Sequence, residues 1–157
     1  MTPTAQPFIR PVENSDGPDL ARLIARNFSD YPNSPFVEAE FLELKAPRDH
    51  YVGKKRGAMW VVEVEGVVLG SLAVCPTDRA DTQEIFKVYL AHALRGSGLA
   101  QALLARAVTT AEAAGATRIR LWTDTRFHAG HRFYEKAGFA LKPVVRKEPV
   151  ASDDVYS

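Results

Sequence analysis

A chain of 157 residues with 46% apolar and 25% charged side chains has the composition of one soluble globular domain, not of a disordered, collagenous or multidomain chain. A single cysteine, Cys75, excludes an internal disulfide, and with no Cys-x-x-Cys or Cys/His cluster no metal site is expected. The net charge of +1 argues against a nucleic-acid binder acting through bulk charge.

The longest nearly uncharged apolar run, Val67 to Cys75, is about half of the ~18 residues that a membrane span needs. The opening Met-Thr-Pro-Thr-Ala-Gln-Pro lacks a basic stretch followed by a hydrophobic one, so a cytoplasmic protein without membrane partners is expected. Charge is unevenly placed. Residues 1–78 carry 8 basic and 11 acidic side chains, against 12 and 8 in residues 79–157, which makes the second half the better seat for an anionic ligand.

Residues 7–12 (PFIRPV) read as a short strand whose two prolines suit an edge. Asp16 to Asp19, with Pro18, offer the chemistry of a helix start. Leu20, Leu23, Ile24 and Phe28 follow at the spacing of one buried stripe. Tyr31-Pro-Asn-Ser-Pro35 ends this helix, and Phe36–Lys45 reads as a second, weaker one. Residues 46–57 read as a polar loop without chemical signature. Ala58–Glu65 and Val67–Cys75, two β-branched runs about Glu65-Gly66, predict a hairpin of central strands, and Glu84–Leu90 a further strand. Gly98–Ala114 is a helix ended by Gly115, and 117–123 alternates as a strand. Gly130–Ala137 is a short helix closed by Gly138, and Phe139–Val145 is the last strand. The order predicts an α/β domain with a mixed central sheet of about six to seven strands flanked by about four helices.

Between Glu84 and Leu104 a β-rich strand runs through Arg95-Gly96-Ser97-Gly98-Leu99-Ala100 into a long helix. Two glycines let backbone approach a ligand closely. The helix start offers unpaired N–H groups and a positive dipole end to an anion, and Arg95 adds a full charge. A Gly-x-Gly turn alone is equally what starts an ordinary helix. The loop lacks the Gly-Lys-Ser/Thr of a Walker A loop, and lacks the third glycine of a dinucleotide fingerprint.

The segment Arg95–Ala100 resembles, at every fixed position, the Gln/Arg-x-x-Gly-x-Gly/Ala hallmark of the GNAT N-acetyltransferases. His131-Arg-Phe-Tyr-Glu-Lys-Ala-Gly-Phe139 resembles the family's FYEKxGF ending. The resemblance is specific over residues 82–141 and architectural over 7–76. It implies one domain over 1–157, with an acceptor-side part (7–76) and an acetyl-CoA-binding part (82–147).

It further implies acetyl-CoA as co-substrate, held by Val88, Tyr89 and Leu90 along its pantetheine arm and by Arg95, Gly96, Ser97, Gly98, Leu99 and Ala100 at its phosphates. The family reaction is direct attack of an amine on the thioester. Backbone N–H groups near Val88 and Leu90 would stabilise the oxyanion if the strand splays there, and Tyr134 would hydrogen-bond the leaving thiolate. The acceptor's proton needs a base. Many relatives carry glutamate where this chain has Phe86, and alternation puts Glu84, Phe86, Val88 and Leu90 on one face, so Glu84 is the candidate base, acting through a water.

Phe127 stands where relatives often carry a pantetheine-contacting asparagine. Asp124 reads as an acceptor-site carboxylate or a helix cap. His128, His131 and His92 read as surface or loop residues, and Trp60, Trp122 and Cys75 as core. By the same resemblance, Tyr31, Phe36 and the 27–41 stretch border the acceptor pocket. The acceptor expected is a small-molecule or protein amine. The lack of a strong acidic patch speaks against a polyamine or a basic protein tail, and the family's frequent dimers allow for a homodimer. Rival readings are an acyltransferase using another acyl-CoA or an O-linked acceptor, and a CoA-binding regulatory module without catalysis.

Overall fold

The computed structural model describes residues 6–29, 41–122 and 128–140. Five strands, β1 (Phe8–Pro11), β2 (Ala58–Val64), β3 (Val67–Pro76), β4 (Thr82–Leu90) and β5 (Arg118–Leu121), form one sheet in sequence order. The first four pair antiparallel; β4 and β5 pair parallel, as the crossover through helix α2 (Leu99–Ala113) requires. Helix α1 (Gly17–Phe28) covers one face of the sheet, and α2 with α3 (His128–Lys136) the other. The mixed α/β sandwich is as expected, with five strands among the described residues where about six to seven were predicted. Of the predicted last strand, residues 141–145 lie outside the described residues.

The helix stripe read from the sequence is the stripe that is buried. Leu20, Leu23, Ile24 and Phe28 pack with Val12, Phe41, Tyr51, Met59, Val61 and Ala73 on the α1 face. On the other face Leu103, Leu104 and Ala107 of α2 and Tyr134 of α3 close over Val62, Leu72, Val74, Ile85 and Leu121. Trp60 packs against this second layer, as read.

The entry into α1 is fastened by charge. Arg10 donates to both oxygens of buried Asp16 at 2.8 and 2.9 Å and through Nε to Glu63 at 2.9 Å. Burial alone would push the Asp16 carboxyl up, but hydrogen bonds from Arg10 and from the Glu13 N–H hold it below the usual carboxylate range.

Two expectations are corrected. Of the second predicted helix only a 3₁₀ turn, Leu42–Lys45, is found; residues 36–40 lie outside the described residues. The segment 46–57 is not a featureless loop. Asp49–Lys54 winds as one π-helical turn, a form that concentrates at functional sites, and it drives Tyr51 into the core, where its ring meets Phe86 at 5.8 Å.

Candidate active site

β4 carries the site because it outruns its neighbour. Its parallel pairing with β5 covers Thr82–Ile85 against Arg118–Leu121 and stops there. From Phe86 to Leu90 that edge faces no strand among the described residues, while β3 continues to pair on the other side. The side of this stretch that faces away from β3 is the one that a ligand could reach in the wedge between β4 and β5.

At the opening, β4 bulges. Lys87 adopts φ +56°, and the β3–β4 register slips between Ser71 and Ala73. Ser71, fully buried, donates from Oγ to the Lys87 carbonyl at 2.7 Å, which fastens the kink to β3. The bulge overturns the predicted alternation. Phe86 and Lys87 both project to the α1 face, whereas Val88 packs on the α2 face and Tyr89 on the α1 face. Glu84, Phe86, Val88 and Leu90 therefore do not share one face.

Lys87 is the residue that sequence reasoning missed. Its side chain is 2% exposed and its Nζ lies 2.8 Å from Glu43 Oε1, with the Phe41 and Tyr51 rings at 5.1 and 6.0 Å. A lysine inside an otherwise apolar strand was the available signal, since a buried ammonium demands a partner.

The β4 strand then turns through His92–Leu94 into the glycine loop. Gly96 and Gly98 sit at φ +80° and +85°, conformations that side chains rarely adopt, and a Cβ at either would meet nothing within 4 Å. The space above the loop is therefore open. Ser97 donates from Oγ to the Leu94 carbonyl, and the first helical bond of α2 runs from the Ala102 N–H to the Gly98 carbonyl at 3.0 Å. The N–H groups of Ala100 and Gln101 precede that bond and lack carbonyls behind them in the helix. Arg95, exposed beside them, donates to Asn27 Oδ1 at the end of α1 at 3.4 Å. An open, positively polarised turn of this kind fits a phosphate or diphosphate.

Tyr134 stands on α3. It is 7% exposed in the α2-side layer, with the Phe133 and Phe139 rings edge-on at 5.3 and 5.9 Å. Burial pushes its phenol above the ordinary value. Val88 of β4 and Leu99 at the start of α2 pack against the same layer as Tyr134.

Glu84 stands apart. It is buried at the paired end of β4, and its Oε1 accepts from Arg120 Nε at 2.6 Å across the β4–β5 ladder. Asp124 and Phe127, with Tyr31 and Phe36, lie outside the described residues, as do the side chains of His128 and His131.

Cys75 is fully buried, and its thiol donates to the Tyr51 carbonyl at 3.7 Å. Burial pushes it up to about 12. The folded chain should therefore resist iodoacetamide at pH 8 while the urea-unfolded chain is alkylated, as mass spectrometry would show.

Comparison with known proteins bears directly on this arrangement. The model of the acetyltransferase (GNAT) family matches residues 20–139. The chain belongs to the GNAT acetyltransferase family. An uncharacterised N-acetyltransferase of Escherichia coli is 30% identical over 136 residues, covering 85% of this chain and 81% of that one. The crystal structure of an acetyltransferase from Streptococcus agalactiae superposes with a TM-score of 0.80 over 96% of both chains at 24% identity. A chain from Clostridium acetobutylicum, solved with acetyl-CoA, shares the GNAT fold at TM-score 0.73 and 19% identity, covering 91% of this chain and 96% of that one.

Proposed function

We propose that this GNAT chain moves the acetyl group of acetyl-CoA to an amine by direct attack. One observation carries the reading: β4 leaves β5 at a bulge and runs straight into an open, glycine-built helix start. Arg95, Gly96, Ser97, Gly98, Leu99 and Ala100 would take the diphosphate on backbone N–H groups and one guanidinium. Val88, Tyr89 and Leu90 would lie along the pantetheine arm, and backbone N–H groups near Val88 and Leu90 on the side away from β3 would supply hydrogen bonds to the oxygen on which charge develops. Bound there, acetyl-CoA supplies an activated thioester carbonyl.

Tyr134 holds its proton across the working pH range and donates a hydrogen bond where the sulfur departs. The Glu84 carboxylate is committed to Arg120 through Oε1, so any proton it takes from the acceptor passes through a water on its other oxygen.

Thermal unfolding with acetyl-CoA tests this reading without knowledge of the acceptor. At about a hundred times its dissociation constant the ligand should add roughly 2.7 kcal/mol of stability. Gly98→Asn and Gly98→Asp pay similar backbone strain at φ +85°, yet only aspartate sets a negative charge at the phosphate seat. The ligand shift should survive in the first variant and vanish in the second; no shift for the native chain rejects the reading.

A further inference from the structure

Among the described residues, the carboxylates beside the bulge are each matched by a base. On the α1 face of β4, Glu43 is neutralised by Lys87 at 2.8 Å and Glu84 by Arg120 at 2.6 Å. Lys55, at the end of the π-helical turn, has no carboxylate within 4 Å among the described residues. Its stem is partly buried, and its ammonium stands 4.0 Å from the centroid of the Phe86 ring, immediately before the bulge.

The surroundings add to this positive potential. Lys54 precedes Lys55 in sequence, and His50 stacks edge-on against Tyr51 at 4.7 Å. The His50 imidazole is held below its usual value by desolvation and by Lys55, Lys54 and Lys87, with Glu43 opposing. A neutral imidazole, two aromatic rings and an unmatched ammonium thus line one spot. Phe86 stands two residues before Val88 on β4, with the bulge at Lys87 between them. A purely cationic acceptor is repelled there. An acceptor with an acidic group on a short arm would present that group to Lys55 while its amine faces the open edge of β4.

We propose that Lys55 is the specificity determinant of the acceptor site, binding the carboxylate or phosphate of an acidic amine against the Phe86 ring. The proposal rests on the acyltransferase reading and names its substrate class. In the transfer itself the amine nitrogen forms a bond to the acetyl carbonyl carbon, the carbon–sulfur bond breaks, and the amine's proton leaves as the thiolate gains one. Lys55 takes no part in those bonds.

The test is CoA release from acetyl-CoA with matched acceptors: β-alanine and 4-aminobutyrate against their amides, and O-phosphoethanolamine against ethanolamine. Each is measured with the native chain, Lys55→Met and Lys55→Arg. The ratio of kcat/KM for acidic over neutral partner should fall at least tenfold in Lys55→Met, chiefly through KM, and be retained in Lys55→Arg. Comparing the same ratio between variants cancels the different basicities of the amines. Which acidic series shows the larger fall distinguishes carboxylate from phosphate recognition. A ratio unchanged in Lys55→Met overturns the proposal, as does absence of turnover in every series while acetyl-CoA still raises the melting temperature. Loss of that stabilisation marks failure of the acyltransferase reading instead.

Discussion

Replacing Glu43 by alanine should destabilise the chain by about 3 kcal/mol, the lower end of what breaking a buried ion pair costs. The reason is the partner left behind. Lys87 Nζ sits 2.8 Å from Glu43 Oε1 with a side chain 2% exposed, and the rings of Phe41 and Tyr51 occupy much of its remaining surroundings. Without the carboxylate, an ammonium is stranded among aromatic carbon, and the two ring faces repay only part of its lost hydration. Glu43 keeps some contact with solvent, which lets water approach and limits the loss. Lys87→Met with Glu43→Leu should recover most of the stability, because an apolar pair of similar volume carries no desolvation cost. Urea unfolding of the native chain, the single variant and the double variant measures both. A Glu43→Ala variant within about 0.5 kcal/mol of the native chain would mean that the ammonium finds water or another acceptor. The same substitution loosens the bulge that opens β4, so its acetyl-CoA shift should shrink relative to the double variant.

That pair also marks where the sequence stops being legible. Helix α1 could be read because its apolar stripe at 20, 23, 24 and 28 has only one geometry that buries it. The β2–β3 hairpin could be read because Glu65-Gly66 separates two β-branched runs, and both residues do take positive φ, at 51° and 80°. The glycine loop was visible because glycine is the one residue whose requirement for φ above zero is written in its identity. The bulge was not visible. Phe-Lys-Val-Tyr-Leu reads as plain alternation. The slip at Lys87 is paid for by contacts distant in sequence, from Ser71 and from Glu43, which no local pattern encodes. The π-helical turn escaped for a related reason. Its six residues have no strong propensity, and tertiary burial of the single ring of Tyr51 decides their winding. Glu84 was readable as a strand carboxylate on β4. Its partner was not, because the register with Arg120 exists only once β4 and β5 are side by side.

The Tyr134→Phe variant should lose about a hundredfold in kcat, the usual scale for removing one proton-handling group, while acetyl-CoA still raises its melting temperature. Phenylalanine keeps the ring that packs between Phe133 and Phe139, so the fold and the cofactor seat persist and the missing hydroxyl is what the rate reports. The pH dependence separates this role from that of an acid consumed in each turnover. Burial raises the phenol above its reference value near 10, so the hydroxyl is protonated at every pH below that value and no limb of the pH–rate profile between 6 and 9 belongs to it. The deficit of Tyr134→Phe should therefore be the same at pH 6 and pH 9. A thiol titrates near 8.5, well below this phenol, so complete proton transfer from Tyr134 to a departing thiolate would run uphill, and on the proposed reading its contribution would be a hydrogen bond that strengthens as charge collects on sulfur. A deficit that disappears at high pH would mean that the phenol titrates within the working range. An unchanged kcat would remove Tyr134 from the chemistry and leave it as a core ring of α3.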